Sequence, residues 1–175
     1  MRAASAAWNL KRFAGQLFLV GLLAACGGGG TATVSPQPAP VFLQSDAATK
    51  SVSLALTSSY NSANAGFNFN GYDSGKMVVS VPDGWKVTVT CGNKGTSNHS
   101  CAIVKSMTDQ TAAFPGANTP DPVHGFAPGG TQTFTFTAAG PGTYRITCMV
   151  GGHDSAGMWD TFIVTNGGDP SIKFS

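Results

Sequence analysis

Glutamate occurs nowhere in the 175 residues, and Asp, Lys and Arg together make up only 10% of them. Ten Lys and Arg stand against eight Asp, with no basic run that could track a phosphate backbone, which argues against nucleic acid as a partner. Such sparse charge is compatible with an acidic medium. The Cys-x-x-Cys-His signature is missing, so covalent c-type haem is excluded. Past residue 25 no apolar run is long enough to span a bilayer. No internal repeat is present, and no stretch carries the apolar stripe of a helix packed on a core.

The N-terminus reads as an address rather than as fold. Arg2, Lys11 and Arg12 precede a 13-residue apolar stretch, Phe13 to Ala25, short for a membrane span but suited to the apolar core of an export signal. It runs into Leu23-Ala24-Ala25-Cys26, the pattern of a bacterial lipobox, in which the cysteine is acylated and becomes the first mature residue. An ordinary secretory peptide is the alternative, and the Gly run after Cys26 favours the lipobox. Residues 1–25 are therefore expected to be a lipoprotein signal and residues 26–45, rich in Gly and Pro, a lipid-anchored tether. Residues 46–175 form the domain. The mature chain keeps 150 residues, 175 less 25, enough for one domain with a sizeable core. It would face the periplasm or the cell exterior.

From about Ser51 the pattern is of short strands. Met77 to Val81, Trp85 to Thr90, Cys101 to Ser106, Thr131 to Thr137, Gly142 to Cys148 and Trp159 to Thr165 are rich in β-branched and aromatic residues. Trp85, Val87 and Val89 alternate with polar neighbours, as do Phe134 and Phe136, the period of a strand with one buried face. Pro82-Asp83-Gly84 and Gly140-Pro141-Gly142 supply turns. An all-β, antiparallel sandwich or barrel is the expected architecture. A long loop from Thr108 to Gly130 carries His124, read as a solvated histidine rather than an extra metal ligand. Met77, Met107 and Met149 are read as packing or loop residues.

Chemistry concentrates between the last two of these strands. Cys148, His153 and Met158 follow a Cys-x4-His-x4-Met spacing around Gly151 and Gly152, and His99 lies at the start of an earlier strand. Two imidazoles and a thiolate in a plane, with a weak axial thioether, make the blue-copper electron-transfer site. Singly, each residue has a plain structural explanation: a buried small thiol, a loop imidazole, a core thioether. Their ordered spacing within a β-sandwich pattern does not.

The ligand loop resembles that of rusticyanin and, more closely, of the sulfocyanins. Phe67-Asn68-Phe69-Asn70-Gly71-Tyr72 and Val81-Pro82-Asp83-Gly84-Trp85-Lys86-Val87 carry the same resemblance, which spans about Phe67 to Val164. It implies a cupredoxin domain, a Greek-key β-sandwich, holding one mononuclear type 1 copper. His99, Cys148 and His153 would be the equatorial ligands and Met158 the axial one. Single electrons would pass to or from redox proteins such as a cytochrome or a terminal oxidase, the protein acting as a monomer. Ser100 takes the position whose hydrogen bond to the cysteine sulfur tunes the metal; its other reading is a hydroxyl capping the strand start. His153 would be the exposed edge, ringed by Gly151, Gly152, Ala156, Gly157 and Phe126.

Cys91 and Cys101 bracket the segment bearing His99. Export and adjacent strand ends favour a disulfide, against two free buried thiols. A binuclear copper centre needs two cysteines in the ligand loop, which has only Cys148. Two further functions stay open at this level. A copper-delivery or storage protein could use the same ligands. A small copper enzyme is disfavoured, since three His in the whole chain and a filled axial position leave no open coordination site.

Overall fold

The computed structural model describes residues 41–175. The expected export signal, Cys26 and most of the expected tether lie outside the described residues. Nine strands build two sheets: β1 (Leu43–Asp46), β2 (Ser51–Ser58), β3 (Met77–Pro82), β4 (Lys86–Asn93), β5 (Ala102–Val104), β6 (Thr131–Thr137), β7 (Gly142–Thr147), β8 (Trp159–Thr165) and β9 (Ser171–Phe174). One sheet runs β1-β2-β4-β6 and the other β5-β7-β8-β3-β9. A single 3-10 turn, Ala63–Gly66, is the helical element among the described residues, and no helix there is long and apolar enough to cross a membrane.

Two-residue alternation decides which side chains meet between the sheets. Val52, Leu54 and Leu56 of β2, Val87 and Val89 of β4, and Phe134 and Phe136 of β6 face Met77, Val79, Val81, Ile146, Phe162 and Val164 from the other sheet, all buried. Phe136 packs against Phe162 at 5.8 Å between ring centroids and stacks on Phe114 at 5.3 Å. Aromatic pairs at such spacings add to the area they bury.

The expected sandwich is present, with two corrections. Each sheet contains one parallel pair, β2 with β4 and β3 with β8. Alternation identifies a strand's faces, not its direction, and parallel neighbours follow from the Greek-key crossovers between the sheets. The sandwich also begins at Leu43 rather than at residue 46, because β1 pairs along β2 from Leu43 opposite Leu54 to Asp46 opposite Ser51. Only Leu43 in that strand is apolar, so its sequence looked like tether. β9 was likewise too short and too polar to stand out.

The long loop closes a flank. Ala113, Ala117 and Thr119 exchange backbone hydrogen bonds with Cys101 and Ile103 along the edge of β5 that β7 leaves free. Unpaired strand edges invite aggregation, and a covering loop removes that risk. The same loop delivers Phe114 to the core.

Cys91 and Cys101 form a disulfide with Cα atoms 6.1 Å apart. Cys91 lies in β4 and Cys101 immediately before β5, so the bond joins the two sheets across ten residues of chain. Loop-closure entropy makes a loop this short worth roughly 2.7 kcal/mol. Replacing both cysteines with Ala should lower stability by about that amount in urea titration. Recovery of Cys91 and Cys101 as alkylated free thiols from oxidised native protein would contradict the bond.

Candidate metal centre

One hairpin and one connection between strands bring His99, Cys148 and His153 together. Cys148 directly follows β7 and Met158 directly precedes β8; these strands are antiparallel neighbours with Thr147 opposite Trp159. The eleven residues 148–158 therefore form a hairpin loop, closed by the Cys148 N–H on the Met158 carbonyl at 3.3 Å. Inside it the Met158 N–H bonds to the His153 carbonyl and the His153 N–H to that of Val150. Gly157, at φ +95°, makes the last reversal; a Cβ there would lie 2.8 Å from Ser74 Oγ and 2.9 Å from Asn64 Nδ2. The loop is wound tightly enough that both its imidazole and its thiol face inward.

His99 comes from the β4–β5 connection. Its N–H and carbonyl pair with the backbone of Phe126 in the long loop, and Asn93 Nδ2 donates to the Phe126 carbonyl at 2.9 Å. His99 Nδ1 lies 3.8 Å and His153 Nδ1 3.3 Å from Cys148 Sγ. The three donor atoms fall within 4.8 Å of one another. Such spacing suits one first-row metal ion held roughly 2 Å from each donor. Met158 is fully buried at the mouth of the same loop. A thiolate with two imidazoles is donor chemistry of copper in electron-transfer sites, and His99, Cys148 and His153 fit it.

The sulfur is surrounded by donors. The Ser100 N–H reaches Cys148 Sγ at 3.3 Å and Ser100 Oγ lies 3.7 Å from it. That hydroxyl also accepts the Met149 N–H at 2.9 Å, which leaves its own proton free for the sulfur. Ser100 Oγ therefore contacts both the sulfur and the Met149 backbone N–H.

Electrostatics favour neutral groups until a cation arrives. Burial pushes the Cys148 thiol above its ordinary pKa despite the N–H groups aimed at it. Burial, then repulsion from His153, lowers His99 to about 4, and burial lowers His153. Neutral imidazoles are ready to ligate well into acid, whereas the thiol must lose its proton to the incoming metal.

Several contributors were not legible in the sequence. Arg145 of β7 makes a two-pronged ion pair with Asp154, both contacts 2.8 Å, and its guanidinium lies 3.7 Å from the centroid of the Trp159 ring. Thr147 Oγ1 also donates to Asp154. The loop residue next to His153 is thereby pinned to β7. Asn68, fully buried, accepts from the N–H groups of Tyr60 and Gly71 and donates to the carbonyls of Asn61 and Ala63. It shapes a segment whose Phe67 ring sits edge-on to His153 at 5.0 Å, and whose Asn64 amide donates to the Ala156 carbonyl at 2.8 Å. Ser59 meets His99 Nε2 at 2.9 Å. An alternation of polar residues carries no sign of such long-range partners.

Other expectations fall away from the site. His124 is exposed and paired with Asp121 at 2.8 Å. Phe126 is buried and grips His99 through its backbone, so it is not part of an exposed rim. Met77 belongs to the core, and Met107 is an exposed loop residue.

Residues 38–168 match the family described as the sulfocyanin (SoxE) domain. The chain belongs to this family. Sulfocyanin of Sulfolobus acidocaldarius is 27% identical over 112 residues, covering 57% of this chain and 56% of that relative. The chain thus spans about half the length of the curated relative it matches. Among solved structures, copper nitrite reductase from Nitrosomonas europaea superposes with a TM-score of 0.50 at 25% identity, over 65% of this chain and 41% of that one. Reduced auracyanin of Roseiflexus castenholzii gives 0.49 at 24% identity, over 65% and 96%. The sandwich of this sulfocyanin-family chain is the Greek-key cupredoxin fold that its ligand loop led us to expect.

The lowered His99 pKa has a measurable consequence. Between the ordinary value of 6.5 and about 4, the unfolded chain binds a proton that the folded one refuses. Stability of the copper-free protein should be complete above pH 6.5 and decline towards pH 4. Denaturant midpoints across that range, with His99 followed by NMR, check it; a His99 titrating at its ordinary value would contradict it.

Proposed function

We propose that the protein is a type 1 copper electron carrier, exported and tethered to a membrane through lipid on Cys26. The observation that carries the proposal is the convergence of the donor atoms of His99, Cys148 and His153 within 4.8 Å, the last two on a loop that ends at the buried Met158. His99, Cys148, His153 and Met158 would hold the copper. Bound copper would supply a one-electron couple and an intense thiolate-to-metal absorption band.

The chain's own contribution is to hold the donors still. The disulfide fixes the segment bearing His99, the Arg145–Asp154 pair fixes the loop bearing His153, and the backbone closure of the hairpin fixes Cys148 and Met158. A donor set that cannot relax costs little reorganisation when the charge on the metal changes. Of the four ligands His153 alone is part exposed, and Gly151, Gly152 and Ala156 around it are exposed and small. A redox protein such as a cytochrome or terminal oxidase can approach that edge closely, through the kind of small, weak interface that transient partners use.

Burial separates this reading from copper delivery. A donor that hands its ion on needs ligands an acceptor can replace, yet Cys148, His99 and Met158 are closed off from solvent. A catalytic copper wants an open position, and Met158 as a fourth ligand would fill it. Monomeric action and a tether running from Cys26 to the start of β1 complete the proposal.

Copper-loaded protein should show the intense visible band, and Cys148→Ser should abolish it while the sandwich stays folded; a Cys148→Ser protein that remains blue would sink the assignment. Met158→Gln supplies a harder oxygen donor that favours Cu(II), so the reduction potential should fall, and Met158→Leu should raise it. Unchanged potentials in both variants would remove Met158 from the site. Cys26→Ala should release the exported protein from membranes, which fractionation and lipid labelling would read.

A further inference from the structure

Ser59, the first residue after β2, has a backbone φ of +50°, a left-handed conformation that residues other than Gly, Asn and Asp seldom adopt. Two hydrogen bonds to Asn68 hold it there. The Ser59 N–H bonds to the Asn68 carbonyl at 3.0 Å, and the next N–H, of Tyr60, bonds to Asn68 Oδ1 at 3.1 Å. Strain kept in place by surrounding structure points to a task for the side chain.

The task is visible in the hydroxyl's two contacts. Ser59 Oγ donates its single proton to the Gly66 carbonyl at 2.8 Å. Its contact with His99 Nε2 at 2.9 Å must then be one in which the oxygen accepts. A neutral imidazole has one N–H, so that hydrogen sits on Nε2 and the lone pair on Nδ1, the nitrogen that faces Cys148 Sγ. Space for this pair is reserved by Gly95, where a Cβ would lie 2.7 Å from Ser59 Oγ and 2.9 Å from His99 Nε2. Ser97 Oγ, at 3.5 Å from Nε2, is too distant to replace the contact.

We propose that Ser59 is a positioning residue for the metal centre: its hydroxyl, locked by the Gly66 carbonyl, fixes His99 in the Nε2–H tautomer and aims Nδ1 at the metal position. The proposal rests on His99 being a ligand. The sequence gives no hint of it, since Ser59 is forty residues from His99 and lies in a run of small polar residues.

The test uses Ser59→Ala and Ser59→Gly. Glycine removes the hydroxyl but also relieves the left-handed strain, so a purely structural role predicts stability equal to or above wild type and an unaltered site. Imidazole nitrogen NMR of the copper-free protein at neutral pH should show His99 as a single Nε2–H tautomer in wild type and as a mixture in both variants. Copper affinity should fall by about 10- to 100-fold in both, as when other hydrogen-bond partners of ligating histidines are lost. If both variants keep the pure Nε2–H tautomer and wild-type affinity, or if wild type itself is mixed, the proposal is overturned. Failure of wild type to bind copper would instead overturn the carrier reading, and the metal-free spectra would still decide the role of Ser59.

Discussion

A buried sulfur atom sets the terms for the rest of this molecule. Cys148 Sγ is shut away from water, in a place where its thiolate is unwelcome without a positive partner. Backbone N–H groups and two imidazole nitrogens are nevertheless aimed at it. Each strand and loop nearby can be understood as a means of keeping those donors aimed. The hairpin between β7 and β8 presents the thiol, the disulfide between the sheets steadies the histidine opposite, and the long loop holds that histidine by its backbone. The interior of the sandwich supplies the stiffness, since packed aromatic layers do not yield to small changes in charge at one end.

What the sequence revealed followed from locality. Cys148, His153 and Met158 lie within eleven residues, so their spacing is readable as a motif, and β6 and β8 agree with their predicted limits residue for residue. Val87 and Val89 announce a buried face by alternation alone. Direction of pairing was hidden, because parallel and antiparallel strands alternate alike. β1 was hidden too, for its pairing with β2 depends on backbone hydrogen bonds rather than on apolar side chains. The supporting partners of the site were least legible. Arg145 reaches Asp154 across nine residues and Asn64 reaches Ala156 across ninety-two, and no periodicity links positions so far apart.

The asymmetry between the two histidines has a physical basis. His99 is enclosed by two loops and hydrogen-bonded at its outer nitrogen, while His153 has an aromatic edge against it and part of its surface in water. One imidazole is a fixture of the scaffold; the other is the point where the site meets its surroundings. The small exposed residues that flank His153 in the loop leave its edge open without creating a sticky patch.

The walls of the centre are borrowed from remote parts of the chain, and this defines what can be moved as a unit. An engineer who transplanted Cys148 to Met158 onto another sandwich would carry three of the four proposed donors and leave their supports behind. Arg145, Thr147 and Trp159 stand outside that segment, and the Asn64–Phe67 wall comes from the far side of the domain's sequence. The portable module is therefore the loop together with its two flanking strands and the turn after β2, and a graft smaller than this would inherit the donors without their aim.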